Sequence, residues 1–169
     1  MKKKIDVYEH MGEILKGVKS GVLVTGKADD RVNSMTISWG MVGIEWAKPV
    51  FVTFIRESRF TRSLIEKNGE FTVNIPVDDS AKKILTFCGS KSGRDVDKAK
   101  ELGLTYEEPE TISVPGIKEL PLDSGMQSSL QTDPGHQRND QRRPGKILST
   151  ECRQHIYRLQ QRYPCGILW

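Results

Sequence analysis

Residues 21–39 of the chain, GVLVTGKADDRVNSMTISW, contain two strand patterns separated by a turn. The first pattern, Gly21 to Ala28, includes several β-branched residues, which pack well on a pleated surface. Asp29-Asp30 follows as a turn pair. The second pattern, Met35 to Trp39, alternates apolar side chains with hydroxyl groups, as a strand with one buried face does. The stretch therefore predicts two short strands joined by a turn.

Short strands and single helices alternate on both sides of this stretch. Periodicity and end signals predict strands at Pro49–Arg56 and Phe71–Ile75, an extended segment within Thr111–Leu122, and helices at Asp6–Lys16, Phe60–Lys67, Ser80–Phe87 and Asp95–Leu102. Single helices inserted among short strands are typical of an antiparallel barrel and not of a βαβ repeat. We therefore predict a mainly β fold, a β-barrel with inserted helices. The sequence has neither a Rossmann glycine fingerprint nor a Walker-type phosphate loop.

The composition is that of an ordinary globular protein. The 169 residues are enough for one domain that buries a core without disulfides or metals. The three cysteines form no CxxC pair, which argues against a disulfide framework and against a metal site of the zinc type. The basic first residues are not followed by an apolar run, and no stretch is long enough to span a bilayer. We expect a cytoplasmic protein without a membrane partner.

The chain changes composition after Leu122. Residues 1–122 contain no glutamine, whereas residues 123–169 contain seven. Lysine outnumbers arginine 14 to 5 in the first part and is outnumbered 1 to 6 in the second. The second part also lacks a sustained strand or helix period. We therefore predict a domain at residues 1–122 and a poorly ordered, non-native tail at residues 123–169.

A one-base insertion directly after the Leu122 codon would explain this tail. Removing one G there, and choosing permitted codons, gives an alternative translation that contains the segments TLECKVVYKQ and HVAYYG. The first segment alternates apolar and polar residues as a half-buried strand does, and the second is also strand-like. We therefore predict a frameshift. The alternative is a disordered basic extension, which would bury too little apolar surface to fold.

The segment Arg56-Glu-Ser-Arg-Phe-Thr-Arg62 places guanidiniums and hydroxyls between the end of a strand and the first turn of a helix. Arginine forms bidentate pairs with phosphate, and the free N–H groups of a helix N-terminus favour an anion. The hydroxyls of Ser58 and Thr61 can donate to the same anion. The alternative is that Ser58 only caps the helix and that the arginines are solvated.

Asn33-Ser-Met-Thr-Ile-Ser-Trp39 is a second candidate segment. An aromatic cofactor ring needs an apolar, partly aromatic wall and a few hydrogen-bond donors at its polar edge. This strand offers both. The alternative is an ordinary strand in which Thr36 and Ser38 face water and Trp39 packs in the core.

The third candidate segment is Phe87-Cys-Gly-Ser-Lys-Ser-Gly-Arg-Asp-Val-Asp-Lys98, a glycine-containing loop that leads into a helix capped near Asp95. With Ser92 and Arg94, this loop could close over a cofactor or substrate; the alternative is a solvent loop. Cys88 has no histidine near it in sequence, so we predict a buried structural thiol. No paired carboxylates and no Ser/His/Asp set support a hydrolase.

In their order and spacing, these segments resemble flavin reductase-like proteins of the flavoredoxin type. The resemblance rests on Asn33–Trp39, Gly43–Trp46, Lys48-Pro49, Arg56–Thr61, Glu70–Pro76, Phe87–Lys98 and Val114–Leu122. It covers nearly all of residues 1–122 and is specific because several separated motifs agree. Family members continue after this leucine with a strand similar to TLECKVIYKQ and a later YYPQ segment, and the restored reading frame contains features of both kinds.

The resemblance implies a split barrel that binds FMN, usually as a homodimer with the flavin near the subunit interface. It implies that Asn33, Met35, Thr36, Ile37, Ser38 and Trp39 line the flavin ring, with polar contacts from Thr36 and Ser38. It implies that Arg56, Ser58, Arg59 and Thr61 hold the FMN phosphate. It implies that Ser92, Gly93, Arg94 and Lys98 approach the flavin or its phosphate from the other side. No catalytic side chain is expected, because the flavin carries the chemistry.

The implied function is that of an FMN-dependent oxidoreductase or electron carrier. One alternative is a flavin reductase with NAD(P)H as the electron donor. Another is a non-enzymatic barrel that holds flavin or haem, although no histidine at a strand end is placed to ligate haem. Nucleic acid is not expected as a partner, because the tail carries +3 of the net charge of +4 and the predicted frameshift would put its arginines out of frame. Since the lost strands would complete the barrel, we expect the 169-residue chain to bind FMN weakly or not at all.

Overall fold

The computed structural model describes residues 5–45, 47–109, 111–131 and 154–160. Within it, the predicted strand pair is present: β1 (Val22–Ala28) and β2 (Arg31–Ile37) run antiparallel, with Val24 opposite Met35. The turn between them holds Asp29 at a φ of 50°, a left-handed conformation that aspartate tolerates better than most residues.

The two strands form one end of a seven-stranded antiparallel sheet. The other strands in it are β3 (Gly40–Glu45), β4 (Lys48–Arg56), β5 (Glu70–Ile75), β8 (Leu122–Gln131) and β9 (Gln154–Gln160). Their spatial order is β2-β1-β5-β8-β9-β4-β3. Two short strands, β6 (Tyr106–Glu107) and β7 (Gly116–Ile117), pair separately.

The described residues include four α-helices. The first, α1 (Val7–Ser20), precedes the strands, and the others are inserted among them: α2 (Phe60–Asn68), α3 (Lys82–Ser90) and α4 (Lys98–Leu102). Asp6 caps α1 by accepting the amide hydrogen of Tyr8 at 2.8 Å. The start of α4 corrects the predicted start at Asp95. Asp97 is the cap residue, because its carboxylate accepts from the amide of Lys100, so the helix begins three residues later.

The sheet curls around one of two buried apolar clusters in the described residues. Val24 of β1, Met35 of β2 and Ile55 of β4 belong to one buried cluster, although four strands separate β2 from β4 in the sheet order. The carbonyl of Trp39, just past β2, accepts hydrogen bonds from the β4 residues Phe54 (amide, 3.4 Å) and Thr53 (hydroxyl, 3.3 Å). The predicted β-barrel with inserted helices is therefore confirmed.

The proposed tail falls only partly within the described residues. Backbone from Leu122 to Gln127 pairs with β5, and backbone from Gln154 to Tyr157 pairs with β4. Residues 132–153 and 161–169 lie outside the described part of the chain. The domain boundary at Leu122, the poorly ordered tail and the frameshift therefore stay predictions.

The helices of the described ranges are all too short or too polar to cross a membrane. The cytoplasmic location stays a prediction.

Candidate functional site

A cavity of about 80 Å³ lies between β2, the start of α2 and the loop that joins α3 to α4. Nine of the predicted site residues line it: Asn33, Met35, Thr36, Ser58, Arg59, Thr61, Ser92, Gly93 and Lys98. Phe60, Cys88, Gly89 and Lys91 complete the lining. The volume suits a small group and lies well below the roughly 300 Å³ at which pockets for a whole cofactor begin. We call this cavity the β2–α2 pocket.

The pocket forms because the two most informative sequence segments meet there. The amide nitrogen Nδ2 of Asn33 donates to the hydroxyl Oγ1 of Thr61 at 2.7 Å, and both side chains are almost fully buried. The Thr61 hydroxyl accepts in this bond, so its own proton is left to donate to another acceptor. Strand β2 and the junction between β4 and α2 therefore lie on the same side of the molecule.

The start of α2 has the features of an anion site. Its cap residue is Arg59, whose side chain makes no capping hydrogen bond. The alternative in which Ser58 caps the helix is therefore not the arrangement found. A helix without a side-chain cap leaves backbone N–H groups at its positive end for another acceptor.

Lys98 adds a buried positive charge to the pocket. Its side chain is 4% exposed, and Nζ donates to the carbonyls of Ser34 (2.9 Å) and Cys88 (2.8 Å). Burial lowers the pKa of Lys98, the neighbouring Cys88 thiol opposes this, and Arg59 lowers the pKa further. Within the described ranges, no carboxylate lies at ion-pair distance from Nζ. An anion in the pocket would therefore compensate a charge that the protein leaves unpaired.

Cys88 lies beneath the same pocket. It is a buried free cysteine, and burial raises the pKa of its thiol against the opposing effect of Lys98. A raised pKa keeps the sulfur protonated and unreactive near neutral pH. The predicted structural thiol fits this environment.

Five predicted site residues do not line the pocket. Ile37 packs in the core, and Ser38 is exposed. The guanidinium of Arg56 lies 5.4 Å from the ring centre of Trp39, which is 45% exposed. Arg94 donates from Nη1 to the carbonyl of Ser58 at 2.9 Å. Their roles toward a ligand stay predictions.

Sequence reasoning missed two residues that shape this site, Arg31 and Phe60. Arg31 donates from Nη2 to the carbonyl of Gly93 at 2.8 Å and lies over the ring of Phe60. The available signal was the spacing of Arg31 and Asn33, because residues two apart on a strand share a face.

The family model for the flavin reductase-like domain matches residues 15–128, well over half of the chain. The chain belongs to the flavin reductase-like family. An uncharacterised protein of Archaeoglobus fulgidus is 33% identical to it over 110 residues, which cover 65% of this chain and 60% of that protein. The family predicted from the sequence motifs is therefore confirmed.

Solved structures of flavin reductase-like proteins show the same fold. Flavoredoxin from Methanosarcina acetivorans is 20% identical, with a TM-score of 0.64, and the match covers 83% of this chain and 64% of that one. Flavoredoxin of Desulfovibrio vulgaris is 23% identical, with a TM-score of 0.62, and the match covers 83% and 67%. The fold is thus the predicted split barrel, and the chain spans under two thirds of the length of the archaeal relatives.

Proposed function

We propose that this chain is a flavin-binding redox protein that holds FMN by its phosphate in the β2–α2 pocket. Because the residues that line the pocket all lie between Asn33 and Lys98, we expect the 169-residue chain to bind FMN at least weakly, although its last third departs from the family pattern. The observation that carries the proposal is the meeting of Asn33 and Thr61 beside an uncapped helix start and the buried charge of Lys98. Donors from three separate elements converge there, and none of the described residues places a carboxylate beside them, which suits a dianionic group.

The lining residues offer complementary contacts to a phosphate. Thr61 and Ser58 can each donate a hydroxyl hydrogen, and Arg59 can donate through a planar guanidinium. Lys98 supplies charge from the floor of the pocket. Because burial keeps Lys98 between two carbonyls, it contributes mainly through its field and not by reaching outward.

The pocket is too small for the rest of the nucleotide, so the ring must lie outside it. We place the ring along the end of β2, where Ser38 and Trp39 are exposed. The bound flavin would supply electron or hydride transfer. The residues of the chain would bind it, orient it and provide the electrostatic surroundings.

Titration with FMN and riboflavin tests this proposal, because riboflavin has the same ring and lacks the phosphate. We expect the chain to prefer FMN, and we expect the double variant S58A/T61V to lose most of that preference. Hydrogen bonds to a charged group contribute about 1.5–3 kcal/mol each, so FMN affinity should fall at least tenfold. Fluorescence quenching of the flavin measures both ligands.

Ser63→Ala is the matched control for the loss of a hydroxyl. Ser63 lies on the same helix, but its hydroxyl donates to the carbonyl of Phe60 on the exposed side. We expect FMN affinity in this variant to equal that of the unmodified chain. Equal affinity for FMN and riboflavin in the unmodified chain would contradict the proposal.

The reaction class proposed is that of an FMN-dependent oxidoreductase or electron carrier. Stopped-flow mixing of the FMN-loaded protein with NADH or NADPH distinguishes a flavin reductase from an electron carrier. Fast reduction by either nucleotide would identify a flavin reductase with NAD(P)H as donor, whereas slow reduction by both would identify a carrier.

We also propose that the protein forms a homodimer through the exposed edge strand β3. Met41 and Ile44 on this strand are 52% and 63% exposed, and Trp39 beside them is 45% exposed. β3 is an edge strand of the sheet, and exposed apolar side chains on an edge are a recurring feature of protein interfaces. A second copy here would lie next to the proposed flavin ring.

A further inference from the structure

Arg31 joins three parts of the fold that surround the β2–α2 pocket. It lies on β2, two residues before Asn33. Its Nη2 donates to the carbonyl of Gly93 at 2.8 Å, in the loop between α3 and α4. Its guanidinium carbon also lies 4.7 Å from the ring centre of Phe60, the first residue of α2. One exposed side chain therefore contacts both the loop and the helix start.

The backbone carbonyl that Arg31 holds belongs to the residue that packs on Asn33. A Cβ atom at Gly93 would overlap the side-chain amide of Asn33, so the two groups are already in close contact. The same amide donates to the Thr61 hydroxyl at 2.7 Å. Holding Gly93 in place therefore restrains the amide, and the amide in turn orients Thr61.

Arg94 secures the loop from the other side. Its Nη1 donates to the carbonyl of Ser58 at 2.9 Å, and its guanidinium carbon lies 5.3 Å from the same Phe60 ring. The ring of Phe60 thus contacts two cations, a favourable arrangement because each faces the ring quadrupole. Each guanidinium gives one of its donors to a backbone carbonyl and so ties the loop to a neighbouring element.

We infer that Arg31 is a positioning residue of the phosphate pocket, acting through Gly93 and Asn33 on Thr61. The inference rests on the proposed function, since it assigns what this contact does for a bound phosphate. It also adds a role for Arg94, which supports the loop through the carbonyl of Ser58, while its predicted contact with the flavin stays a prediction.

The first test needs no ligand. Amide hydrogen exchange of the loop, residues 91–95, is compared between the full chain and R31M, which keeps an apolar stem but loses the charge and the donors. We expect exchange of the loop to rise about 2- to 10-fold, the range expected for losing one such hydrogen bond. Unchanged exchange would overturn the inference whether or not the protein binds flavin.

Lys27→Met is the matched control for charge. Lys27 lies in the same hairpin, opposite Val32, and lines a different cavity with Asp29 and Lys67. The substitution removes one positive charge from β1, the strand that pairs with β2, while the contact of Arg31 with the loop remains. We expect loop exchange and FMN affinity in this variant to match those of the unmodified chain.

The second test measures FMN and riboflavin affinities of the same variants. R31M should weaken FMN about 2- to 10-fold and leave riboflavin unchanged, because only the phosphate contacts depend on Thr61. R31K should recover affinity and loop protection together, since lysine retains one donor and the charge. If R31K recovers FMN affinity while its loop still exchanges fast, the positive charge alone accounts for the affinity. That result would overturn the inference.

The two tests separate this inference from the proposed function. If the unmodified chain binds no FMN at millimolar concentration, the proposed function fails, and the exchange data alone judge the loop contact. If it binds FMN and R31M exchanges faster without weaker FMN binding, the positioning role fails while the proposed function stands.

Discussion

The polar side chains of the central strands form a buried hydrogen-bonded series beside the site. The hydroxyls of Thr25 and Ser34 are 2.8 Å apart, and Nδ2 of Asn74 donates to Thr25 at 3.1 Å. Thr36, one of two hydroxyls that could have faced water, donates to the carbonyl of Leu85 at 2.6 Å. An alternating pattern identifies the two faces of a strand, but it does not show that a helix covers the polar face. These hydrogen bonds could therefore not be predicted from the strand pattern.

Several site residues were nevertheless predictable one by one. Thr61 and Asn33 were identified because their residue types suit an anion and a cofactor edge, and the structure brings them into contact. Arg31 and Phe60 were missed because their roles depend on a loop more than 30 residues away in sequence. The spacing of Arg31 and Asn33 shows that they share a strand face, but it does not reveal the contact with the distant loop.

Lys98 gives a prediction about pH. Burial lowers its pKa in the folded protein below the value of about 10.4 in an unfolded chain. Between these two values the unfolded chain holds more protons, so this residue makes the folded state more stable as pH rises through that window. A methionine side chain does not titrate and cannot contribute such a slope. We therefore expect the stability of the lysine form, relative to Lys98→Met, to increase as pH rises towards about 10.4.

The comparison is made by denaturant unfolding in a Cys88→Ala background, because burial also raises the pKa of that thiol and its titration would add an opposite slope. The backbone carbonyl of residue 88 that accepts from Nζ is retained in this background. A stability difference that stays flat or falls as pH rises would show that burial does not lower the pKa of Lys98.

At the scale of elements, α2 lies close to β1 because Gly26 has no side chain. A Cβ at position 26 would lie 3.0 Å from Cγ1 of Ile65 and 3.2 Å from the carbonyl of Thr61. The helix that carries Thr61 therefore packs directly on the strand backbone.

Gly26→Ala should destabilise the protein by about 1–2 kcal/mol, because α2 must shift by a few tenths of an ångström to admit the methyl group. Gly43→Ala is the matched control in another strand, since its Cβ would meet only Cγ2 of Val50 at 4.0 Å. That change should be neutral or stabilise by up to about 1 kcal/mol through the unfolded chain. Denaturant unfolding measures both, and equal effects would contradict this account of the packing.

Element prediction succeeded where the pattern was strong and failed where it was short. The helix predicted at Phe60–Lys67 is observed at Phe60–Asn68, ended by Gly69 at a φ of 75°. By contrast, β3 was not predicted, because its two glycines interrupt any alternation. The two-residue strands β6 and β7 are too short to leave a period in the sequence.

At the scale of the whole molecule, the fold class followed from the alternation of short strands and single helices, and the family followed from separated motifs. The order of the strands could not be predicted, because β8 and β9 insert between β5 and β4. Both strands lie in the part of the chain from Leu122 onward, where the composition differs. The family model itself extends only to residue 128. The composition change after Leu122 therefore coincides closely with the end of the recognisable domain.

The proposed dimer is tested by removing its apolar contacts. We expect M41S/I44S to weaken self-association at least tenfold, because burying each such side chain contributes about 1.5–3 kcal/mol. Val77→Ser is the control, since Val77 is 62% exposed but follows β5 and not β3. Sedimentation velocity over a concentration series gives the result, and an unmodified chain that is monomeric throughout would contradict the proposed interface.

The most direct test of the central claim is a crystal structure of the protein with FMN. The account predicts the phosphate in the β2–α2 pocket, with an oxygen about 2.6–3.0 Å from Oγ1 of Thr61 and the ring along the end of β2. A phosphate bound elsewhere, such as in the cavity of about 590 Å³ between α1 and α3, would contradict it.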